Sequence, residues 1–138
     1  MILNHNQIKE RMKGTFIEFL NIDFIESEQE KELEATMLIR QDLLQTSGVL
    51  HGGVTIAFAE TLAGVASNNI CPEEEFAFGI QISANHVSHG EIGDTVKGKA
   101  TPVHIGRTTH VWNVDIYSEK SGKLVSSVRA TNIVIKRK

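Results

Sequence analysis

The sequence predicts an α+β fold in which one antiparallel sheet wraps around a single long central helix. The first observation is that residues 54–70 have a helical composition and are apolar on nearly every side. The second is that the later segments alternate apolar and polar residues and are separated by short turns, which favours antiparallel strands. A helix that is apolar all round must be buried, so we expect the sheet to cover it.

The overall composition is that of an ordinary globular protein. The chain has 138 residues, of which 41% are hydrophobic and 22% charged, so we predict one compact domain over residues 1–138. A net charge of −3 gives no reason to expect nucleic acid or a membrane surface as a partner. The single cysteine, Cys71, cannot form an internal disulfide. Together with the absence of a signal-peptide pattern or a bilayer-spanning apolar run, it favours a cytoplasmic location.

The chain before the central helix predicts a short surface helix over residues 4–13, where Ile8 and Met12 lie one turn apart. An apolar docking segment follows at residues 16–20. The central helix is preceded by two glycines and is stopped by Cys71-Pro72. The predicted strands cover residues 21–29, 32–40, 76–89, 95–105, 108–118 and 124–135. An antiparallel sheet of this kind around one buried helix is the hotdog fold.

Glu60 is the main candidate for chemistry. It is the only acidic or basic residue between His51 and Glu73, on a helix that is otherwise apolar. A carboxylate in such a setting is costly unless it is paired or wetted by a cleft, so it marks a possible site. The alternative is that Glu60 lies on one solvated stripe of the helix.

His51-Gly52-Gly53 stands where the loop enters the helix. The first N–H groups of a helix lack internal partners and carry a partial positive charge, and glycine lets a substrate approach them closely. A thioester carbonyl that gains negative charge would be stabilised there. The tripeptide alone is better explained by a glycine-rich turn with a structural histidine.

The spacing of these groups predicts a site shared between two subunits. His51 and Glu60 are nine positions apart, which is roughly 13 Å along a helix. One thioester cannot easily contact both, so we expect them to come from different subunits of a two-fold dimer.

Other candidate groups have simpler explanations. His86 and His89 are three apart on a predicted strand and should point to opposite faces, and with His104 and His110 they complete no metal-ligand spacing, so we expect no metal site. Arg107 could bind phosphate, but a solvated hairpin turn is the commoner explanation for an arginine at this place.

The candidate residues combine into one pattern: Gln45-x5-His51-Gly52-Gly53-x6-Glu60, then Asn85-His86-Val87 and His104-Ile105-Gly106. This pattern resembles the hotdog-fold acyl-CoA thioesterases. It is most similar to the branch of 4-hydroxybenzoyl-CoA and 1,4-dihydroxy-2-naphthoyl-CoA thioesterases, related to the phenylacetic-acid-degradation type. The similarity covers roughly residues 15–135.

The resemblance implies a role for each matching position. Glu60 would be the nucleophile or general base, and the Gly52 backbone N–H would polarise the thioester carbonyl. His51 and Gln45 would position the thioester or the water from the subunit opposite Glu60. Contacts to the substrate and its coenzyme A portion would come from Gly53, Gly79, His86, Val87, Ser88, His89, His104, Gly106, Arg107 and Thr108.

The same resemblance implies an aromatic or medium-chain acyl-CoA as substrate, with coenzyme A as part of the substrate and no bound cofactor. It also implies a homodimer as the smallest active unit, with a homotetramer expected. Relatives often carry Ser or Thr one turn after the acid, where this chain has Gly64, so water positioning would fall to Thr61 or to no side chain. Two alternatives remain: a hotdog enoyl-thioester hydratase, which would not release thiol from a saturated acyl-CoA, and a non-catalytic acyl-CoA-binding module, which would bind without turnover.

Overall fold

The computed structural model describes residues 5–25, 29 and 31–138. The helices are α1 (His5–Met12), α2 (Phe16–Leu20) and α3 (Gly52–Ile70). The strands are β1 (Asp23–Ile25), β2 (Leu33–Leu38), β3 (Glu75–His86), β4 (Thr95–Ile105), β5 (Thr109–Ser118) and β6 (Leu124–Lys136). All pair antiparallel in one sheet of order β1-β2-β4-β5-β6-β3, against which α3 packs. This arrangement confirms the predicted hotdog fold.

Three of the differences between predicted and observed element boundaries exceed the one or two residues by which the other ends shift, or have a clear local cause. Helix α3 begins at Gly52, two residues early, because the His51 side chain caps it by accepting a hydrogen bond from the N–H of Gly53. Strand β3 ends at His86 rather than at residue 89. The N–H groups of Val87 and Ser88 both donate to the carbonyl of Val125, which interrupts the regular strand pairing. The first predicted strand is reduced to β1, and its residues 26–28 lie outside the described residues.

Helix α3 is buried on one side only, which corrects the expectation of burial all round. Its sheet-facing residues are buried: Thr55, Phe58, Ala59, Leu62, Ala63, Ala66 and Ser67. The close approach depends on Gly98 of β4, where a methyl group would lie 3.0 Å from both Leu62 and Phe58. The opposite side of α3 is half-buried and carries the exposed Glu60, because α1 and α2 cover it only loosely and leave a cavity. In the part of the chain described, no helix is long and apolar enough to cross a membrane.

A polar cluster ties α3 to the sheet inside the core. The hydroxyl of Ser67 accepts hydrogen bonds from Trp112 Nε1 at 2.7 Å and Asn132 Nδ2 at 2.8 Å, and it lies 3.1 Å from His110 Nδ1. Because the two donors occupy both hydroxyl lone pairs, Ser67 must donate its proton to His110 Nδ1. His110 is therefore neutral, with its proton on Nε2. Burial, helped by the nearby His104, lowers the pKa of His110.

This cluster predicts that the protein loses stability on mild acidification. The unfolded imidazole takes up a proton more readily than the buried one, so stability is present above about pH 6.5 and falls as the pH drops toward the lowered pKa of His110. His110→Gln supplies hydrogen-bonding atoms that do not titrate, and we expect a weaker pH dependence of its free energy of unfolding. Urea denaturation between pH 5 and pH 8 measures this dependence.

His89→Gln is the matched control, because it removes an exposed imidazole outside the cluster. That variant should keep the wild-type pH dependence. Equal pH dependence in His110→Gln and wild type would show that the cluster does not require a neutral His110.

Candidate active site

The carboxylate of Glu60 lies against the backbone of β3. A methyl group at Gly79 would come within 2.5 Å of Glu60 Oε1, so only glycine leaves room for the carboxylate at this position. A β-bulge between Gly79 and Gln81 interrupts the pairing with β6 at the same point. Glu60 is exposed and forms no hydrogen bond or ion pair with any residue that the structure describes. Its oxygen atoms are therefore free to act on a bound molecule.

Glu60 borders a cavity of about 560 Å³ between the outer side of α3, the two N-terminal helices and β3. The walls are largely apolar, with contributions from Ile8, Met12, Phe16, Ala57, Val65 and Phe78. Among the lining residues, only Glu60 and Arg11 carry charge. Thr61 also faces the cavity, but its hydroxyl donates to the Ala57 carbonyl at 2.7 Å. Gly64 leaves open space, since a methyl group there would meet no atom within 4 Å. The cavity can hold an apolar group beside a carboxylate.

The N-terminus of α3 has one backbone N–H to offer. The N–H of Gly53 donates to His51 Nδ1 at 2.8 Å, and those of Val54 and Thr55 donate to the His51 carbonyl. The N–H of Gly52 has no acceptor among residues 5–25, 29 and 31–138. It is therefore the donor that remains for a ligand at this helix end. Because His51 Nδ1 accepts from the N–H of Gly53, the neutral His51 ring carries its proton on Nε2, which can donate to another group.

A small cavity of about 150 Å³ lies at this helix end and is bordered by Gln45, Gly52, His86 and His89, among others. The ring of His86 packs on Gly52 so closely that a methyl group there would lie 2.8 Å from His86 Nε2. Ser126 donates to the carbonyl of Asn85 and thus accepts from His86 Nδ1 at 3.0 Å, which holds the ring in place. Ser126 is a site residue that the sequence did not indicate, because its contact with His86 joins two separate strands.

Gln45 is held in a tight turn by its own backbone. Its N–H donates to the Val49 carbonyl at 2.8 Å, and its carbonyl accepts from the N–H of Gly48 at 2.9 Å. Gly48 has φ +82°, which this turn requires. The side-chain oxygen of Gln45 accepts from the N–H of Ser47, so the amide nitrogen is the atom left to donate. The turn places that amide at the cavity of Gly52.

Within one chain, the candidate residues form two separate groups. Gln45, Gly52 and His86 border the small cavity, whereas Glu60 and Gly79 border the large one. Gly52 and Glu60 are eight positions apart on α3, roughly 12 Å along its axis. The two groups therefore do not meet in a single chain.

The remaining predicted residues lie in the β4–β5 hairpin. His104 is near the end of β4, and Gly106, Arg107 and Thr108 form the turn before β5. Cross-strand pairing puts this hairpin in line with Gly79, at the end of the sheet opposite to His86. The hairpin is tight: the N–H of Gly106 donates to the Thr109 carbonyl at 2.9 Å, and the His104 ring packs on Gly106.

His86 and His89 do not diverge as the sequence predicted. The strand ends at His86, so strand alternation does not apply, and both rings border the same cavity as Ser88. Val87 between them is exposed. No group of three or more His, Cys, Asp or Glu side chains suited to a metal ion is found in the described residues.

Comparison with known proteins supports the fold and identifies the family. The model of the thioesterase superfamily matches residues 47–125, more than half of the chain. A 1,4-dihydroxy-2-naphthoyl-CoA hydrolase from Escherichia coli is 36% identical over 123 residues, which are 89% of this chain and 88% of that protein. The crystal structure of a thioesterase from Haemophilus influenzae superposes with a TM-score of 0.91 at 32% identity, covering 99% of this chain and 93% of that one.

A thioesterase from Staphylococcus aureus is also similar in structure. Two of its alanine variants, one at a glutamine and one at a glutamate fifteen positions later, have been solved. They superpose with TM-scores of 0.81 and 0.82 at 27% and 26% identity, and each match covers 88% of this chain and 98% of that one. From the matched family model and these relatives, the chain belongs to the thioesterase superfamily and is a hotdog-fold hydrolase of thioesters.

Proposed function

We propose that the enzyme hydrolyses an acyl-CoA with an aromatic or medium-chain acyl group to the free acid and coenzyme A. The observation that carries this proposal is the unpaired carboxylate of Glu60 on the wall of a largely apolar cavity. A volume of about 560 Å³ falls in the range of small-molecule sites and suits an acyl group of this size. The Escherichia coli relative is named for a two-ring aromatic acyl-CoA, which supports the same substrate class and favours hydrolysis over hydration.

Glu60 is proposed to act as general base or nucleophile. As a base, its carboxylate takes a proton from water while the water oxygen bonds to the thioester carbon. As a nucleophile, it bonds to that carbon itself, and water then cleaves the resulting anhydride. In both cases the carbonyl oxygen gains negative charge, and the C–S bond breaks when the electron pair on that oxygen re-forms the C=O double bond. The sulfur leaves as thiolate, and the proton that balances it comes from the water consumed in the reaction.

The N–H of Gly52 is proposed to stabilise the charged carbonyl oxygen. The next three N–H groups on α3 already have acceptors, whereas the N–H of Gly52 has none among the described residues. It can therefore donate to a substrate without breaking an existing hydrogen bond. The Nε2 proton of His51 and the amide of Gln45 would position the thioester or the water. Gln45 and Glu60 are fifteen positions apart, as are the glutamine and glutamate replaced in the Staphylococcus aureus enzyme. This spacing supports a joint role.

A homodimer formed along β3 is proposed to complete each site. Strand β3 has 12 residues and lies at one edge of the sheet, whereas the other edge strand, β1, has three. A long unpaired edge is a template for another strand. Antiparallel pairing of β3 with its copy lays the His86 end of one subunit beside the Gly79 end of the other. Glu60 of one subunit then approaches Gly52 of the other.

The proposal also covers the oligomeric state, the cofactor requirement and the cellular location. Two such dimers are proposed to form a homotetramer. Coenzyme A is treated as part of the substrate, and the proposed steps need neither a metal nor another cofactor. A cytoplasmic location is proposed because Cys71 is the single cysteine, so the chain can form no internal disulfide.

Replacement of Glu60 tests the base or nucleophile. Glu60→Gln keeps the size of the side chain but not its charge, and we expect turnover to fall by about 10²-fold or more while KM changes little. Thiol release from aromatic, short, medium and long acyl-CoAs measures this and identifies the preferred acyl group. Glu119→Gln, on an exposed turn, is the control and should behave as wild type. Near-normal turnover of Glu60→Gln would contradict the mechanism.

Two replacements of Gly52 distinguish the role of its N–H as a donor from the role of its small size. Gly52→Pro removes the donor and should reduce turnover by about 10²–10³-fold. Gly52→Ala keeps the donor but displaces the His86 ring, so we expect a smaller loss. Circular dichroism and size-exclusion chromatography must show that both variants fold and assemble. A folded Gly52→Pro enzyme with normal turnover would exclude the proposed role.

Mixed dimers test the shared site. His51→Ala and Glu60→Ala, each nearly inactive, are denatured together in equal amounts and refolded, so that about half the dimers are mixed. In a mixed dimer both lesions fall in one site and the other site is intact. Activity should return to about one quarter of that of refolded wild type, because independent sites add. If mass spectrometry confirms mixed dimers and no activity returns, each site lies within one chain.

A further inference from the structure

A third cavity, of about 520 Å³, adjoins the small cavity of Gly52. The two cavities share the lining residues His86, Ser88 and His89, so they adjoin at these residues, and we refer to the two together as the depression. The far wall is built by Ser121 and Lys123 on the turn between β5 and β6. The depression therefore runs from the free N–H of Gly52 to a lysine.

The turn that carries Lys123 is held in a defined conformation by the buried Asp94. Asp94 Oδ1 accepts from the N–H of Thr95 at 2.7 Å and of Lys120 at 3.2 Å, and Ser118 donates its hydroxyl to Oδ2. Burial alone would raise the pKa of Asp94, but these hydrogen bonds outweigh burial and lower it. The backbone of Lys123 is fixed as well, because its carbonyl accepts from the N–H of Ser118 at 2.9 Å.

The opposite wall of the depression, formed by residues 86–89, is hydrogen-bonded to the beginning of strand β6. The N–H groups of Val87 and Ser88 both donate to the carbonyl of Val125, and the hydroxyl of Ser88 donates to the carbonyl of Leu124 at 2.6 Å. Leu124 and Val125 directly follow Lys123 in the chain. Hydrogen bonds to the residues next to Lys123 therefore hold the segment with the two histidines close to the Lys123 backbone.

Lys123 is the one lysine or arginine among the described residues in the lining of this cavity. The ammonium group of Lys123 forms no ion pair or hydrogen bond with the residues described, so it is available to a bound anion. The hydroxyl of Ser121 and the ring of His89 add possible donors, whereas the Nδ1 proton of His86 is already donated to Ser126. The one carboxylate in the lining is Glu91, whose backbone is paired with Val49.

We propose that Lys123 binds a phosphate group of coenzyme A, and that the coenzyme A portion of the substrate follows this depression away from the thioester. The inference rests on the proposed acyl-CoA substrate and adds its path and a residue that recognises it. It differs from the role suggested for Arg107, which lies at the other end of the sheet of the same subunit.

The test compares two thioesters with the same acyl group, an acyl-CoA and the matching acyl-pantetheine, which has no phosphate. Lys123→Ala should raise KM for the acyl-CoA about threefold to tenfold at unchanged kcat and leave both constants for the acyl-pantetheine unchanged. Lys123→Arg should restore the KM for the acyl-CoA, because it restores the charge. Lys120→Ala, an equal charge on the same turn but outside the cavity lining, should match wild type.

Three results would overturn the proposal: an unchanged KM for acyl-CoA in Lys123→Ala, an equal rise for both thioesters, or a rise in Lys120→Ala of the same size. If wild type hydrolyses neither thioester, the proposed function fails, and calorimetric titration with coenzyme A still decides the role of Lys123. In that case, equal affinity of wild type and Lys123→Ala for coenzyme A refutes the phosphate contact, and a severalfold weaker affinity of the variant supports it.

Discussion

One rigid helix carries both groups that the proposed chemistry needs, and its length keeps them apart. The Gly52 N–H stands at the start of α3 and the Glu60 carboxylate more than two turns later, so their separation is set by helix geometry. No side-chain rotation brings them together, because a backbone donor cannot move without unwinding the helix. The site is therefore completed by a second chain, or the two groups do not act on one thioester.

The helix in turn depends on the sheet for its position. Gly98 lets β4 approach Phe58 and Leu62, and the Ser67 hydroxyl bonds the far end of α3 to Trp112 and Asn132. Apolar contacts alone would allow the helix to slide by small amounts. Directional hydrogen bonds in the core fix the helix position, since a shift would leave buried donors without acceptors.

Glycines provide space for functional side chains at two points of contact. Gly79 leaves room for the Glu60 carboxylate, and Gly52 leaves room for the His86 ring. A methyl group at either position would displace the side chain that packs on it. Both contacts join α3 to β3, so the edge strand that we propose for dimerisation also forms part of both half-sites. In the proposed dimer, assembly and catalysis would therefore depend on the same strand.

The amino-acid sequence by itself determined the fold class, the central helix and most strands, because hydrophobic periodicity is a local property of the chain. It also singled out Glu60 and His51-Gly52-Gly53, since a charge on an apolar helix and glycines at its start are visible in the sequence. Only the tertiary structure decided which N–H of the helix end is free, because that depends on the ring of His51 capping Gly53. Only the tertiary structure brought Ser126 to His86 and Lys123 to the same depression, because these contacts join residues about 40 positions apart through strand pairing.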